Sequence, residues 1–333
     1  LSGALITKES LEFEIKPEYD FIDNLDEIPI IDFSYINLKD YNGRSYINKD
    51  SNNVEVSIHS SRGCPFNCVY CSNYLVHGKR IRKMSDEVFL NTVQFYIDKY
   101  QMHTLMIEDD HFLADKNRAI RLLNELSKIN INIEFPNGIA VFKIDEEIAE
   151  ALNNAKVKIV PLAIESGSEY VLHKIINKPL KKEQIYKAVK CLRKYDIKLH
   201  AFIVIGFPYE FDEHRKETLD MLIELGLDWV HIFIVVPIAG SRLYNQCLEN
   251  NYLLTDDYNK YLVYKEKWEN HPQRFYKKKI KDKRIEIDLA SSKDKVKSIL
   301  DSSSLSQKEK DEILKINNEI ILLIQTAVLH KKR

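Results

Sequence analysis

Ser61-Arg62-Gly63-Cys64-Pro65-Phe66-Asn67-Cys68-Val69-Tyr70-Cys71-Ser72 gathers three of the chain's five cysteines into eight residues. Their spacing is C-x3-C-x2-C. Three thiolates this close in sequence can wrap one face of a cuboidal 4Fe-4S cluster and leave the fourth iron without a protein ligand, unlike the four-cysteine ferredoxin pattern. An open coordination position is what distinguishes a catalytic metal site from a structural one. The competing reading is a structural zinc site of Cys3His type, with His59 or His77 as the fourth ligand. Such sites generally pair two C-x2-C knuckles, and this sequence has no second knuckle. A disulfide would leave one of the three thiols over, and an odd total of five argues against a disulfide framework. Cys191 and Cys247 fall in helical patterns and read as small buried hydrophobes. Ligand thiolates must stay reduced, so a reducing compartment, the cytoplasm, is expected.

Outward from this segment the chain alternates. Short runs rich in Val, Ile and Phe at 54–60, 103–108, 132–138, 157–165, 197–205 and 229–236 read as strands. Amphipathic patterns at 85–100, 116–129, 145–154, 181–195 and 212–225 read as helices, with Ser85 and Asp145 at N-cap positions. Six strands alternating with helices imply parallel pairing with right-handed crossovers. The strands are nearly continuous apolar runs, as expected when both faces are buried. An open sheet and a partial barrel both fit that pattern. Cys64, Glu108, Glu165, Gly206 and Pro237 all fall at or just beyond strand C-termini, the face on which parallel barrels place their sites. The expected fold is therefore an α/β partial (β/α)6 TIM-like barrel.

Three regions follow: 1–50 as an irregular lead-in, broken by Pro17 and Pro29; 51–258 as the barrel core; 259–333 as a basic linker and helical C-terminal extension. The lead-in fits a linker from an N-terminal domain lying outside the chain, and the absence of an initiator methionine at Leu1 points the same way. Residues 260–284 carry ten Lys/Arg against three acids, with Trp268, Phe275 and Tyr276 interspersed. That composition can bind RNA, but a solvated charged linker explains it as well, and nucleic acid is not expected as a partner. Ser306-Gln307-Lys308-Glu309 matches a capping box opening a helix whose apolar face includes Ile313, Ile316, Ile320 and Ile324.

Over the whole chain, 333 residues suffice for one large α/β domain or two smaller ones. The composition, 44% hydrophobic and 30% charged, is that of a globular protein. The formal net charge of -1 creates no global field favouring nucleic acid or an acidic membrane. There is no run of signal-peptide type, and the longest apolar stretches fall well short of the roughly 20 residues that a membrane helix needs, so no membrane partner is expected.

The cysteine segment resembles the signature of the radical S-adenosylmethionine (SAM) superfamily, C-x3-C-x-φ-C, with Tyr70 as the aromatic φ. The resemblance extends over roughly 54–245. Ile107-Glu108-Asp109-Asp110-His111-Phe112 follows the second strand, where the family has an acidic motif near the SAM amino group. Ala163-Ile164-Glu165-Ser166-Gly167-Ser168 resembles the fourth-strand motif, whose polar side chains face SAM. Ile203-Val204-Ile205-Gly206-Phe207-Pro208-Tyr209-Glu210 resembles the fifth-strand segment that contacts adenine, with Tyr209 in place of a common Gly. Val236-Pro237-Ile238-Ala239-Gly240-Ser241 resembles the turn after the sixth strand, with Ala-Gly-Ser for Pro-Gly-Thr.

The resemblance implies a 4Fe-4S cluster on Cys64, Cys68 and Cys71. It implies SAM contacts from Phe66, Tyr70, Glu108, Asp110, Glu165, Ser166, Ile205, Gly206 and Val236. The accessory motifs also have structural readings, Glu165 as a strand-end cap, Asp109-Asp110 as a solvated turn and Gly206 as a turn residue, and His111 and His200 read as core histidines. The implied chemistry is reductive cleavage of SAM to a 5′-deoxyadenosyl radical that abstracts a substrate hydrogen, with an external electron donor such as flavodoxin or ferredoxin. Residues 21–29 resemble the linker preceding the barrel in cobalamin-associated members, which implies methyl transfer if a cobalamin domain accompanies the chain. The alternatives are a tRNA-modifying member, which needs three further cysteines upstream of Cys64, and a non-catalytic metal-binding interaction protein.

Overall fold

The computed structural model describes residues 3–4, 19–41, 43–47, 53–250, 252–253 and 307. The basic stretch 260–284 and, apart from Gln307, the capping box and apolar helix face expected after Ser306 lie outside the described residues.

The six expected strands are present. We number β1 (Glu55–Ile58), β2 (Ser61–Arg62), β3 (Arg82–Lys83), β4 (Thr104–Ile107), β5 (Asn132–Glu134), β6 (Ile159–Glu165), β7 (Lys198–Ile205) and β8 (Trp229–Ile234). The helices are α1 (Asp86–Tyr100), α2 (Lys116–Leu126), α3 (Glu146–Asn154), α4 (Lys182–Leu192), α5 (Asp212–Leu225) and α6 (Arg242–Glu249). Six of these strands form two three-stranded sheets, β1-β4-β5 and β8-β7-β6, with parallel β1/β4, β4/β5 and β7/β8 pairing. The class is mixed α/β with parallel sheets and intervening helices, as expected, and no closed barrel is formed among the described residues.

Capping chemistry sets the helix starts. Ser85 and Asp145 accept from the N–H groups of Val88 and Ile148, each three residues on, as N-caps do. Some ends fall earlier than the apolar pattern suggests. β5 stops at Glu134 because Pro136 lacks a ladder donor, and Gly138 N–H closes a turn on Phe135 at 3.0 Å. Elements without a counterpart in the periodicity include the one-turn helix Asn73–Val76, a π-helical segment, Val171–Ile176, and the short antiparallel β2/β3 pair.

The chain forms two compact units. The first comprises Leu1–Phe66, Asn73–Pro161 and Lys190–Ile197. Its core includes Val56, Leu105 and Ile133 from adjacent strands, Phe89 and Val93 of α1, and Leu122, Leu123 and Leu126 of α2, all buried. The lead-in is tied to α1. Ser85 N–H donates to Asp26 at 2.7 Å, Tyr96 hydroxyl to the Ile31 carbonyl at 3.2 Å, and Lys99 pairs with Asp32 at 3.0 Å.

The second unit comprises Asn67–Ser72, Leu162–Val189 and Lys198–Arg333. Its core gathers Val69, Val171, Ile176, Val204, Phe207, Val235, Leu243, Cys247 and Tyr252. Gly167 permits close approach of the β6 exit to α5, since a Cβ there would stand 2.6 Å from Thr218 Cα. Among the described residues no helix is long and apolar enough to cross a membrane.

Candidate functional site

In the first unit, β1 ends at Ile58 and the chain turns through Ser60 and Ser61 toward Cys64. This turn is built on Asp109 and Asp110, which follow β4. Asp109 accepts from Ser60 N–H (2.6 Å), Ser60 hydroxyl (2.7 Å) and Ser61 hydroxyl (2.7 Å). Burial pushes its pKa up against the pull of those serines. Arg118 of α2 grips the same turn, donating to the Ser60 carbonyl at 3.1 Å and the Met84 carbonyl at 2.8 Å.

Asp110 accepts from Gly63 N–H (2.8 Å) and the Asn73 amide (2.6 Å) and contacts His77 Nδ1 at 2.8 Å. Burial raises its pKa, but the hydrogen bonds from His77 and Gly63 outweigh that and leave it below the usual range. Both carboxylates thus shape the segment entering Cys64. His77, weighed above as a zinc ligand, is a partner of Asp110.

Gly63 is obligatory. Its φ is +100°, and a Cβ would stand 2.3 Å from the Arg80 carbonyl oxygen. Cys64 N–H donates to the Gly78 carbonyl at 3.3 Å. Phe66 packs against His111 and Phe142 at ring distances of 5.6 and 5.4 Å. Glu108 accepts from Arg44 Nη2 at 2.6 Å and from Ser57 hydroxyl at 3.0 Å, and its carbonyl takes the Asn137 amide at 2.7 Å.

In the second unit, Cys68 and Cys71 bracket one turn, with Cys71 N–H on the Cys68 carbonyl at 3.1 Å. Val69 pins it: its N–H donates to the Ile176 carbonyl and its carbonyl accepts from Leu243 N–H, both at 2.8 Å. The π-helical segment missed by periodicity is therefore part of the support for the cysteine turn. Tyr70 lies 5.9 Å from Phe207, ring to ring. Burial, with the charges of Glu165, Cys68 and Cys71 adding to it, holds the Tyr70 phenol well above its usual pKa.

Glu165 ends β6 with φ +70°, a left-handed conformation that side chains adopt at a cost. It is buried and paired with Lys178 at 2.8 Å, whose Nζ also donates to the Ala163 carbonyl at 2.8 Å. Sequence reading passed over Lys178. Lys178 stands between Asn177 and Pro179, and no local pattern marks it as the partner of Glu165.

Ser166 hydroxyl meets Thr218 hydroxyl at 3.0 Å and accepts from Ser168 N–H at 3.1 Å. Ser168 hydroxyl is buried and has no hydrogen-bond partner among the described residues. Gly206, at φ +90°, follows Ile205, and Glu210 folds back to accept from the N–H groups of Gly206 and Phe207. Val235 N–H donates to the Ile205 carbonyl at 2.9 Å, and Val236 is buried beyond it.

Cys64, Cys68 and Cys71 form no disulfide, and each is half-buried. Three partly accessible thiols this close in sequence are the donor set that a cluster with one open iron requires. Among the described residues no group of three His, Cys, Asp or Glu side chains is drawn together as around a single metal ion.

Comparison with known proteins follows the same lines. The model of the Radical SAM superfamily matches residues 58–222. An uncharacterized methyltransferase of Pyrococcus horikoshii is 30% identical over 76% of this chain and 54% of its own length. Cytidylyl-2-hydroxyethylphosphonate methyltransferase of Streptomyces wedmorensis is 27% identical over 69% of this chain and 44% of its own. The chain thus spans about half the length of the curated relatives it matches. Among solved structures, the radical S-adenosylmethionine methyltransferase TsrM of Kitasatospora setae, determined with cobalamin and a [4Fe-4S] cluster, superposes with a TM-score of 0.53. The identity is 17%, over 58% of this chain and 39% of that one, which establishes likeness of fold.

Proposed function

This chain belongs to the radical SAM superfamily, whose members use a 4Fe-4S cluster and SAM, and on that premise we propose that it is the catalytic core of a methyl-transferring radical SAM enzyme. The observation that carries the reading is the cysteine turn itself. Cys68 and Cys71 are set by a core-anchored Val69, and Cys64 follows a glycine held by Asp110. Cys64, Cys68 and Cys71 would hold the cluster. A cluster held there and reduced by an external donor would supply one-electron reduction of SAM, with cleavage to methionine and a 5′-deoxyadenosyl radical.

The chain's own residues position and shield. Tyr70 stays a neutral phenol at any physiological pH, because burial and neighbouring negative charge both oppose its ionisation. It therefore presents a hydroxyl and an apolar ring beside the cysteine turn, where water would compete for a radical. Lys178 and Glu165 offer a fixed cation and anion at the β6 exit, and Ser166 and Ser168 offer hydroxyls beside them, the polar groups an amino-acid-bearing cofactor needs. Methyl transfer is supported by the two methyltransferase relatives and by the fold shared with TsrM. A corrinoid would come from a part of the protein outside these residues.

The test is SAM turnover without substrate. Anaerobic, reconstituted protein with SAM and dithionite should release 5′-deoxyadenosine, and Cys68→Ala should abolish the release. Undiminished release from that variant would overturn the reading.

A further inference from the structure

The first unit holds a second charged arrangement, on the face of the β1-β4-β5 sheet. Five consecutive backbone N–H groups converge on two buried glutamates. Those of Gly43, Arg44 and Ser45 donate to Glu55 at 3.2, 3.1 and 3.2 Å. Those of Tyr46 and Ile47 donate to Glu134 at 2.8 and 3.4 Å, and Ser45 hydroxyl also donates to Glu134. Asn53 adds an amide to Glu55 at 3.0 Å. Glu55 is 9% exposed and Glu134 2%. Burying carboxylates is costly unless their lone pairs are satisfied, and here the loop's backbone does most of that.

Strand register places both glutamates with Ser57 on one face of the sheet. Glu55 and Ser57 are two apart on β1, Ser57 pairs with Met106, and Met106 pairs with Glu134. The loop 43–47 is therefore fixed on that face by its main chain, independently of the Arg44 side chain.

Arg44 runs from this clamp to the C-terminal edge of the sheet. Nη1 lies 3.1 Å from Ser57 Oγ, and Nη2 lies 2.6 Å from Glu108 Oε1. The Arg44 side chain is 57% exposed, whereas that of Glu108 is 11% exposed. Each terminal nitrogen thus gives an N–H to the sheet edge, one to Ser57 and one to the nearly buried Glu108, and the remaining N–H groups of the five-donor fork are left to a side chain that is 57% exposed. Glu108 is followed directly by Asp109 and Asp110, which set the segment leading to Cys64. The guanidinium stands at the edge of a parallel sheet where ligands bind, on the approach to the first cysteine. An exposed ion pair serving only as a cross-link contributes about 0–1 kcal/mol, which gives no reason to clamp its loop with two buried carboxylates.

We propose that Arg44 anchors an anionic oxygen group of the substrate, a phosphate, phosphonate or carboxylate, through the guanidinium edge that Glu108 and Ser57 leave open. The assignment rests on the radical SAM reading for what happens next to the substrate, though not for the anion site itself. A rigid guanidinium fork matches such oxyanions bidentately, which a lysine cannot do.

The test uses the full chain and three probes titrated calorimetrically: inorganic phosphate, methylphosphonate and acetate. Wild type should bind at least one saturably, and which it prefers tells tetrahedral from planar oxyanion. Arg44→Ala should bind about tenfold more weakly or worse, and Arg44→Lys should fall between. Because the loop is held by its backbone, both variants should keep the wild-type far-ultraviolet circular dichroism spectrum, with a modest drop in urea midpoint for Arg44→Ala, which leaves the Glu108 carboxylate without its cation. Wild type binding none of the probes overturns the proposal. So does Arg44→Ala binding them as well as wild type, or losing SAM affinity alone. If no 5′-deoxyadenosine appears with any protein while the probe difference persists, the enzymatic reading fails and the anion site stands.

Discussion

Lys178 Nζ lies 2.8 Å from Glu165 Oε1, in a pair whose side chains are 10% and 9% exposed. From sequence, Glu165 is a carboxylate at the end of an apolar strand in need of a polar partner. The chain provides one, thirteen residues further on. The pair turns the β6 exit into a fixed dipole and makes Glu165 and Lys178 interdependent.

Glu165→Ala should therefore destabilise the protein by about 3–5 kcal/mol, because it leaves a buried ammonium uncompensated. The double variant Glu165→Ala/Lys178→Met should recover much of the loss, since both charges are then gone. Urea unfolding of Glu165→Ala, Lys178→Met and the double variant reads this directly. An additive double variant would mean that the two side chains do not act as a pair. SAM affinity should fall in both the single and the double variant if the carboxylate also serves the cofactor.

Gly63→Ala should disable the cysteine loop without unfolding the protein. The added Cβ meets the Arg80 carbonyl oxygen at 2.3 Å, at a φ that side chains rarely adopt. The local strain is on the order of 1–3 kcal/mol. Far-ultraviolet circular dichroism should be unchanged while iron bound per chain after reconstitution drops severalfold. Full iron loading would show that the loop adapts.

Asp110→Ala should act on the same loop from the opposite side. It removes the acceptor for Gly63 N–H and for the Asn73 amide and strips His77 of its carboxylate. A loss of about 1–3 kcal/mol is expected from the unsatisfied donors, together with reduced iron loading. Retained iron would confine Asp110 to fold stability.

His200 gives a pH signature. Burial, and secondarily the charge of His231, depress its pKa from 6.5 to about 4. A depressed group contributes stability that is present above the unfolded pKa and lost as pH falls through the folded one. Unfolding free energy should thus decline between pH 6.5 and about 4 by on the order of 2 kcal/mol, allowing for partial solvent screening. His200→Leu should flatten that slope in urea titrations at several pH values. An unchanged slope would assign the acid sensitivity to other groups.

The amino-acid sequence by itself determined the strands of the two sheets, the helices between them and the cysteine loop. Strand and helix positions follow from periods of two and 3.6 residues, which are local properties of the chain. The three thiols were legible because their spacing is local too. α5, expected over 212–225, forms over Asp212–Leu225, and the apolar runs at 103–108 and 229–236 become the buried β4 and the half-buried β8.

Tertiary structure alone decided which polar group meets which. Asp110 reaches Gly63 across 47 residues, Arg44 reaches Glu108 across 64, and Glu134 holds Tyr46 N–H across 88. Each of these contacts is selected by the cost of leaving a buried donor or acceptor unsatisfied. That cost depends on what the folded chain brings within 3 Å, and no local pattern encodes it.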